Sequence, residues 1–460
     1  MNQPPLYHQR QLLLASLLML SGVAAWACLT PERALELGIE HPDPEFVTRA
    51  LHAHEPNPIP YFGPQQATLC DNGFADIFPC SNVTLLSHIE LPDINNGVSG
   101  SDSWGWTDAQ TGIEYAIIGR SNGVDFVSLE DPIVPVYLGN LPRPGGVNSS
   151  VWADIKDYKD HAFMVADSVN NYGIQVFDLR QLRAVSNPPV TFTPTTAYNE
   201  FNRAHNIAIN VETGFAYATG METGNCGRGL HMVDISDPSN PKFAGCFAED
   251  GYTHDVQCVI YKGPDMDHQG KEICFASNVN ALTIVDVSDK ENPVELSQGV
   301  YPQTGFTHQG WLTEDQAYFL LDDETDETGQ GFTGTRTITL DLHDLDNPRF
   351  SGEHFADGAA IDHNQYVKGN YTIQANYRRG MRILEITDPA TGTLTEAGYF
   401  DTYPEGDGNS FDGAWNVYPF FPSGNILISD FNRGFILVRP EFSILSEVFK
   451  VDGFESSASL

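Results

Sequence analysis

Leu282-Thr283-Ile284-Val285-Asp286-Val287-Ser288-Asp289 is a β-branched and aliphatic run that ends on acidic, turn-forming residues. It decides the fold because it recurs. Earlier copies read Val124-Asp125-Phe126-Val127-Ser128-Leu129, Ile174-Gln175-Val176-Phe177-Asp178-Leu179 and Leu230-His231-Met232-Val233-Asp234-Ile235-Ser236-Asp237-Pro238. Later ones read Ile338-Thr339-Leu340-Asp341-Leu342, Ile383-Leu384-Glu385-Ile386-Thr387-Asp388-Pro389 and, in worn form, Phe435-Ile436-Leu437-Val438. Seven copies roughly 50 residues apart have the period of four-strand propeller blades.

Most copies are closed by Asp-Pro or Asp-x-x-x-Pro, where proline cannot continue a ladder, so the phrase is a strand followed by a turn. Two more strand-like runs lie upstream, as in Val256 to Tyr261 and Glu272 to Ser277, and one follows, as in Pro293 to Tyr301. The last copy lacks its following strand, whereas Val83 to Leu91 looks like such a strand with no copy before it. Pairing the two closes the ring and removes two open edges. The chain is therefore expected to be all-β: a seven-bladed β-propeller over 81–440, after a signal peptide (1–27) and a partly helical extension (28–80), with a tail over 441–460. Helix starts are expected at Thr30-Pro31-Glu32 and Asp43-Pro44-Glu45.

The N-terminus carries Arg10, an apolar run from Leu12 to Ala25, and small residues at Ala25 and Ala27, the pattern of an export signal. Two outcomes follow: simple secretion, or a lipoprotein acylated at Cys28, the latter being the one expected contact with a membrane. Acidic residues outnumber basic ones 61 to 24, and the formal charge of −37 argues against nucleic acid as a partner. Seven cysteines in an exported chain suggest three bridges and one left over. Neighbourhood in sequence proposes Cys70 with Cys80, Cys226 with Cys246 and Cys258 with Cys274, leaving Cys28. Gly119-Arg120-Ser121-Asn122-Gly123 has the spacing of a hydrolase nucleophile elbow, but strands on both sides make it a hairpin turn.

The phrases Leu282-Thr283-Ile284-Val285-Asp286 and Leu230-His231-Met232-Val233-Asp234 resemble LVIVD repeats. The order of Cys70 to Cys80, Gly251-Tyr252-Thr253-His254-Asp255, Gly263-Pro264-Asp265 and Thr307-His308-Gln309-Gly310-Trp311 is similar to the bacterial choice-of-anchor B family, from about residue 70 to 440. The resemblance implies a secreted or cell-surface location and no particular reaction. The chain ends without a sorting motif or hydrophobic tail.

Aligned at the start of each blade's first strand, the repeats place Trp104, Trp152, His205, His254, His308, His363 and Trp415 at one channel position. Four imidazoles brought together by near-symmetry can hold zinc, copper, iron or nickel with positions left open. The plain alternative is that they are hydrogen-bonded packing residues. Asp322, Asp323, Glu324, Asp326 and Glu327 follow the run Ala317 to Leu321 in what reads as one acidic loop; oxygen ligands of that density suit calcium. Two function classes remain. One is a binding module whose loops contact a protein or glycan. The other is a metalloenzyme with His205, His254, His308 and His363 as ligands and Asp255 or Asp362 as orienting or acid–base groups.

Overall fold

The computed structural model describes residues 67–94, 99–144, 150–167, 169, 171–221 and 226–444. The expected export signal, Cys28, both expected helix starts and most of the tail lie outside them. Among the described residues seven sheets, antiparallel except where the short strand Val190–Thr191 lies parallel to Val136–Pro142, form a β-propeller, and none of the described helices is long and apolar enough to cross a membrane.

Each repeat phrase is the third strand of its blade. Leu282–Asp286 is buried from Leu282 to Val285 because neighbouring blades cover both faces of its sheet, so the run is continuously apolar instead of alternating. The closing aspartate ends the strand chemically: Asp286 Oδ1 accepts the Ser288 N–H at 3.0 Å, and Asp234 and Asp341 take the N–H two residues on at 2.9 Å. These are Asx turns, in which a side chain replaces a backbone acceptor. A bulge then falls between third and fourth strands in most blades, as at Ile284/Val285 and Thr339/Leu340. Gly245 and Gly352 on fourth strands admit the next blade's turn, for a Cβ there would lie 1.7 Å from the Lys290 carbonyl and 2.1 Å from that of Thr391.

The ring closes as the repeat count required: Val83–Ile89 pairs with Gly434–Pro440 as the outer strand of the seventh blade. All three expected bridges are present, Cys70–Cys80, Cys226–Cys246 and Cys258–Cys274, and they fit an oxidising, extracytoplasmic compartment. The first of them staples a small hairpin, Phe74–Ala75 with Phe78–Ser81, which covers the outer edge of the sixth blade through Cys80 opposite Phe400. Gly119 to Gly123 is a hairpin turn between Glu114–Arg120 and Gly123–Ser128.

Apolar cores lie between blades; Phe275 and Phe319 of the fourth and fifth stack at 5.7 Å. At the centre, a polar side chain on each innermost strand reaches the backbone of the next. Asp102 accepts from Ile155 N at 2.9 Å, Asp154 from Ile207 N at 2.7 Å, Gln257 from Leu312 N at 2.8 Å and Gln309 from Gln365 N at 2.9 Å. Asn206 donates to the His254 carbonyl at 3.1 Å, Asn364 to that of Trp415 at 3.2 Å, and Asn416 to that of Ser103 at 2.8 Å. Every blade boundary is thus laced around the axis. These bonds fix the height and rotation of the residues beside them.

Candidate metal centre on the propeller axis

In blades three, five, six and seven the lacing residue directly follows the histidine or tryptophan of the channel position, as Asn206 follows His205 and Gln309 follows His308. In blade two Asp154 lies two residues after Trp152. His205 N donates to Thr219 O at 2.9 Å and His254 N to Ser277 O at 2.8 Å, so the backbone is held where the side chain leaves the strand. The structure brings all four imidazoles into one arc. Ring centres are 4.5 Å apart from His205 to His254, 4.6 Å from His254 to His308 and 4.7 Å from His308 to His363. Two imidazoles on one ion, with nitrogens about 2.1 Å from it, keep their ring centres roughly 4.5 to 5.5 Å apart. Trp415 meets His363 edge-on at 4.9 Å and joins Trp152 in one buried cluster.

Trp104 is not at this level. Gly100 opposite Arg120 matches Thr307 opposite Asp323, so Ser101 stands where His308 does and Trp104 falls opposite Ile117, the level of Trp311 opposite Leu320 and Tyr366 opposite Ile373. It still lines the channel, further along, against Tyr418 at 5.0 Å and Tyr366 at 6.0 Å.

Each imidazole has its Nδ1 engaged by a neighbour outside the arc. His363 Nδ1 is 2.5 Å from the Trp415 carbonyl, His308 Nδ1 is 2.8 Å from Asp322 Oδ1, and His205 and His254 contact Asp167 and the Tyr252 hydroxyl at 3.3 Å. That arrangement fixes ring orientation and reserves Nε2, as the outer shell of a metal site does. Glu324 supplies a carboxylate to the same place: its oxygens lie 3.9 Å from His308 Nε2 and 3.6 Å from His363 Nε2. The Tyr377 hydroxyl donates to Glu324 Oε1 at 2.7 Å. Donor atoms of His308, Glu324 and His363 all fall within 4.8 Å of one another. Two imidazoles and a carboxylate are a donor set for zinc or iron(II).

Electrostatics favour a cation here. Burial works against a charged His308, yet Glu324 and Asp322 outweigh it and push the imidazole up to about 9. His363, buried beside His308, is held well below the usual imidazole range. Burial raises Asp322 to about 6 despite His308.

Three imidazoles of the arc, His205, His308 and His363, line a cavity of about 470 Å³ whose wall also includes Val211 and Glu212, where Val211 is exposed. Its walls include Trp104, Trp311, Tyr366 and Phe420. Burial and the neighbouring Asp154 raise Asp255 to about 6, and Lys156, ion-paired to Asp154, lies 4.6 Å over the Trp104 ring. Asp255 borders the cavity, whereas Asp362 is not among its lining residues.

The acidic run is not one loop. Tyr318–Asp323 is a strand, and alternation sends its side chains to different places. Asp322 goes to His308, and Asp323 accepts from Gly305 N and Phe306 N at 2.6 Å and from the Tyr301 hydroxyl at 3.0 Å. Glu324 joins the imidazoles, while Asp326 meets Glu327 and Asp362. Sequence reasoning missed Tyr377, Tyr252 and Asp167; the recurrence of Asp or Asn at the ends of second strands, as at Asp167, Asp430 and Asn376, was the available signal.

Residues 223–248 and 269–298 match the LVIVD repeat family. Among solved structures, hydrazine synthase of Kuenenia stuttgartiensis is similar over 78% of this chain and 98% of that one, at 11% identity and a TM-score of 0.51. A protein from Lactobacillus plantarum is similar over 72% of this chain and 89% of that one, at 13% identity and a TM-score of 0.47. None of the curated proteins matches in sequence. The chain is a β-propeller carrying LVIVD repeats, and likenesses at this identity speak for the fold alone.

Proposed function

We propose that this propeller acts outside the cytoplasm as a metal-dependent binding protein. A divalent transition metal held by His308, His363 and Glu324, with His254 and His205 alongside, presents open positions to a small ligand in the axial cavity. The observation that carries the reading is the engagement of all four Nδ1 atoms by outer neighbours, which leaves Nε2 as the remaining donor, with Glu324 beside two of them. A packing role would not require a carboxylate at that point. The cavity volume of about 470 Å³ falls in the range of small-molecule sites, and its aromatic wall with Asp255 and Lys156 suits a ligand that has both a flat apolar part and polar groups.

Export is supported by the N-terminal signal pattern and the three disulfides. The motifs around Tyr252 and His308 support membership of the choice-of-anchor B family. The second reading, a metalloenzyme, is favoured by Asp255: a half-buried carboxyl on the cavity wall, raised to about 6, is suited to exchange protons with a metal-bound ligand near neutral pH. A docking role for the rim loops toward a protein or glycan is compatible with either.

The test is elemental analysis of the exported protein purified without chelator or affinity tag, beside His308→Ala and His363→Ala. Stoichiometric zinc, iron or copper in the parent, lost in both variants while folding is kept, supports the axial centre. A parent that takes up none of these metals, even after incubation with each, overturns it and leaves a metal-free binding propeller.

A further inference from the structure

A second group of ionisable side chains lies beside the imidazole arc and is chemically distinct from it. Asp326 and Glu327 sit on a single helical turn, Asp326–Gly329, that follows the second strand of the fifth blade. Asp362 comes from the segment just before the first strand of the sixth blade, Asn364–Lys368. Oxygen atoms of the three carboxylates fall within 4.8 Å of one another, although the residues are only 0%, 4% and 4% exposed.

Their partners do not account for them. Asp362 Oδ2 accepts the Arg336 N–H at 2.8 Å, and Arg336 Nη1 reaches Asp326 Oδ2 at 3.4 Å. That guanidinium is already committed more closely elsewhere, to Glu353 at 2.6 and 2.9 Å and to the Pro302 carbonyl at 2.8 Å. Asp326 and Glu327 turn their carboxyl groups toward each other, and Asp362 Oδ1 is buried without a hydrogen-bond partner. Burying carboxylate oxygens without matching donors is costly, and here three carboxylates converge. Nature tolerates such an arrangement where a cation supplies the missing charge.

We propose that Asp326, Glu327 and Asp362 form a buried site for a hard divalent cation of the calcium class. The donor set is oxygen only, with no imidazole or thiolate among the three, which selects calcium over the softer metals suited to the histidine arc. The ligands come from two adjacent blades, so the ion ties them together. It does so next to both halves of the axial centre: Glu324 is two residues before Asp326, and His363 directly follows Asp362. The cation is structural. It sets the distance between Glu324 and His363 without touching anything in the cavity, and its existence does not depend on the axial metal.

The experiment uses the full exported chain, stripped with a calcium chelator and titrated with calcium by calorimetry and thermal melting. The parent is expected to bind one calcium ion per chain and to melt a few degrees higher when it does. Glu327→Gln and Asp362→Asn should each weaken binding at least tenfold. The neutral amide removes a buried like charge, so stripped Glu327→Gln should melt no lower than the stripped parent, which separates loss of the site from loss of the fold. His308→Ala should bind calcium as the parent does, so that failure of the axial centre and failure of this site are told apart. A stripped parent whose melting is unmoved by millimolar calcium and which shows no binding overturns the proposal in favour of carboxyls sharing protons. Binding that persists undiminished in both amide variants overturns it as well.

Discussion

Asn416, on the innermost strand of the seventh blade, donates through Nδ2 to the carbonyl of Ser103 on the innermost strand of the first, at 2.8 Å. The same amide contacts Asp102, which in turn holds Ile155 N of the second blade. A residue 313 positions away in sequence thereby completes the lacing around the axis. Asn416 is fully buried, so Asn416→Ala strands the Ser103 carbonyl and Asp102 in a dry place. The expected cost is about 1–3 kcal/mol, read as a lower urea midpoint with an unchanged slope. An unchanged midpoint would mean that closure rests on the pairing of Val83–Ile89 with Gly434–Pro440 alone.

Cys258 and Cys274 face each other directly across neighbouring strands of the fourth blade and close a separation of 16 residues. A loop of that size contributes about 3 kcal/mol by restricting the unfolded chain. Changing both to alanine should lower the melting temperature while far-ultraviolet circular dichroism keeps its β signature. The native sheet pairs these residues through backbone bonds as well, so the propeller itself should survive.

His231 lies on the third strand of the third blade, fully buried, with Nε2 2.7 Å from the Tyr198 hydroxyl. Burial lowers its imidazole from 6.5 to about 4. As pH falls through the unfolded value, the unfolded chain gains a proton that the folded one refuses until about pH 4. The unfolded state then binds more protons, so stability falls with falling pH across that window. The full contribution, on the order of 3 kcal/mol, is present above the unfolded value and gone near the folded one. His231→Gln should flatten this loss. The difference between parent and variant in urea unfolding at pH 7 and pH 4.5 isolates it from carboxyls such as Asp255, whose raised values act in the opposite direction.

The repeat phrase made the blade count, the closing strand and the disulfide pairs legible, because each follows from local periodicity and from neighbours in sequence. Trp104 was placed at the wrong level because the residue equivalent to His308 is Ser101, which carries no aromatic ring to mark it, and Trp104 lies three residues further along, as Trp311 does. The acidic run read as a loop because its length was visible and its alternation was not: Asp322 and Glu324 face the imidazoles while Asp323 caps Gly305 and Phe306. Tyr377 and Asp362 reach their partners across blade boundaries, and no motif within one repeat records a contact made with the next.

Tyr377 offers the most discriminating test of the axial centre. Its hydroxyl donates to Glu324 Oε1 at 2.7 Å, and its ring centre is 4.7 Å from that of His363, so it orients the carboxylate without itself being a ligand. Tyr377→Phe keeps the ring and its packing and removes only the donor. Loss of an outer-shell partner of this kind lowers metal affinity roughly 10- to 100-fold. Cobalt(II) substituted into the parent and the variant should show that drop by competition with a chelator, together with altered visible absorption bands, while the thermal melt of the metal-free proteins shifts little. A purely structural Tyr377 would give the reverse: a lower melt and an unchanged cobalt spectrum. That outcome would remove Glu324 from the coordination sphere and leave the imidazoles as the only donors on the axis.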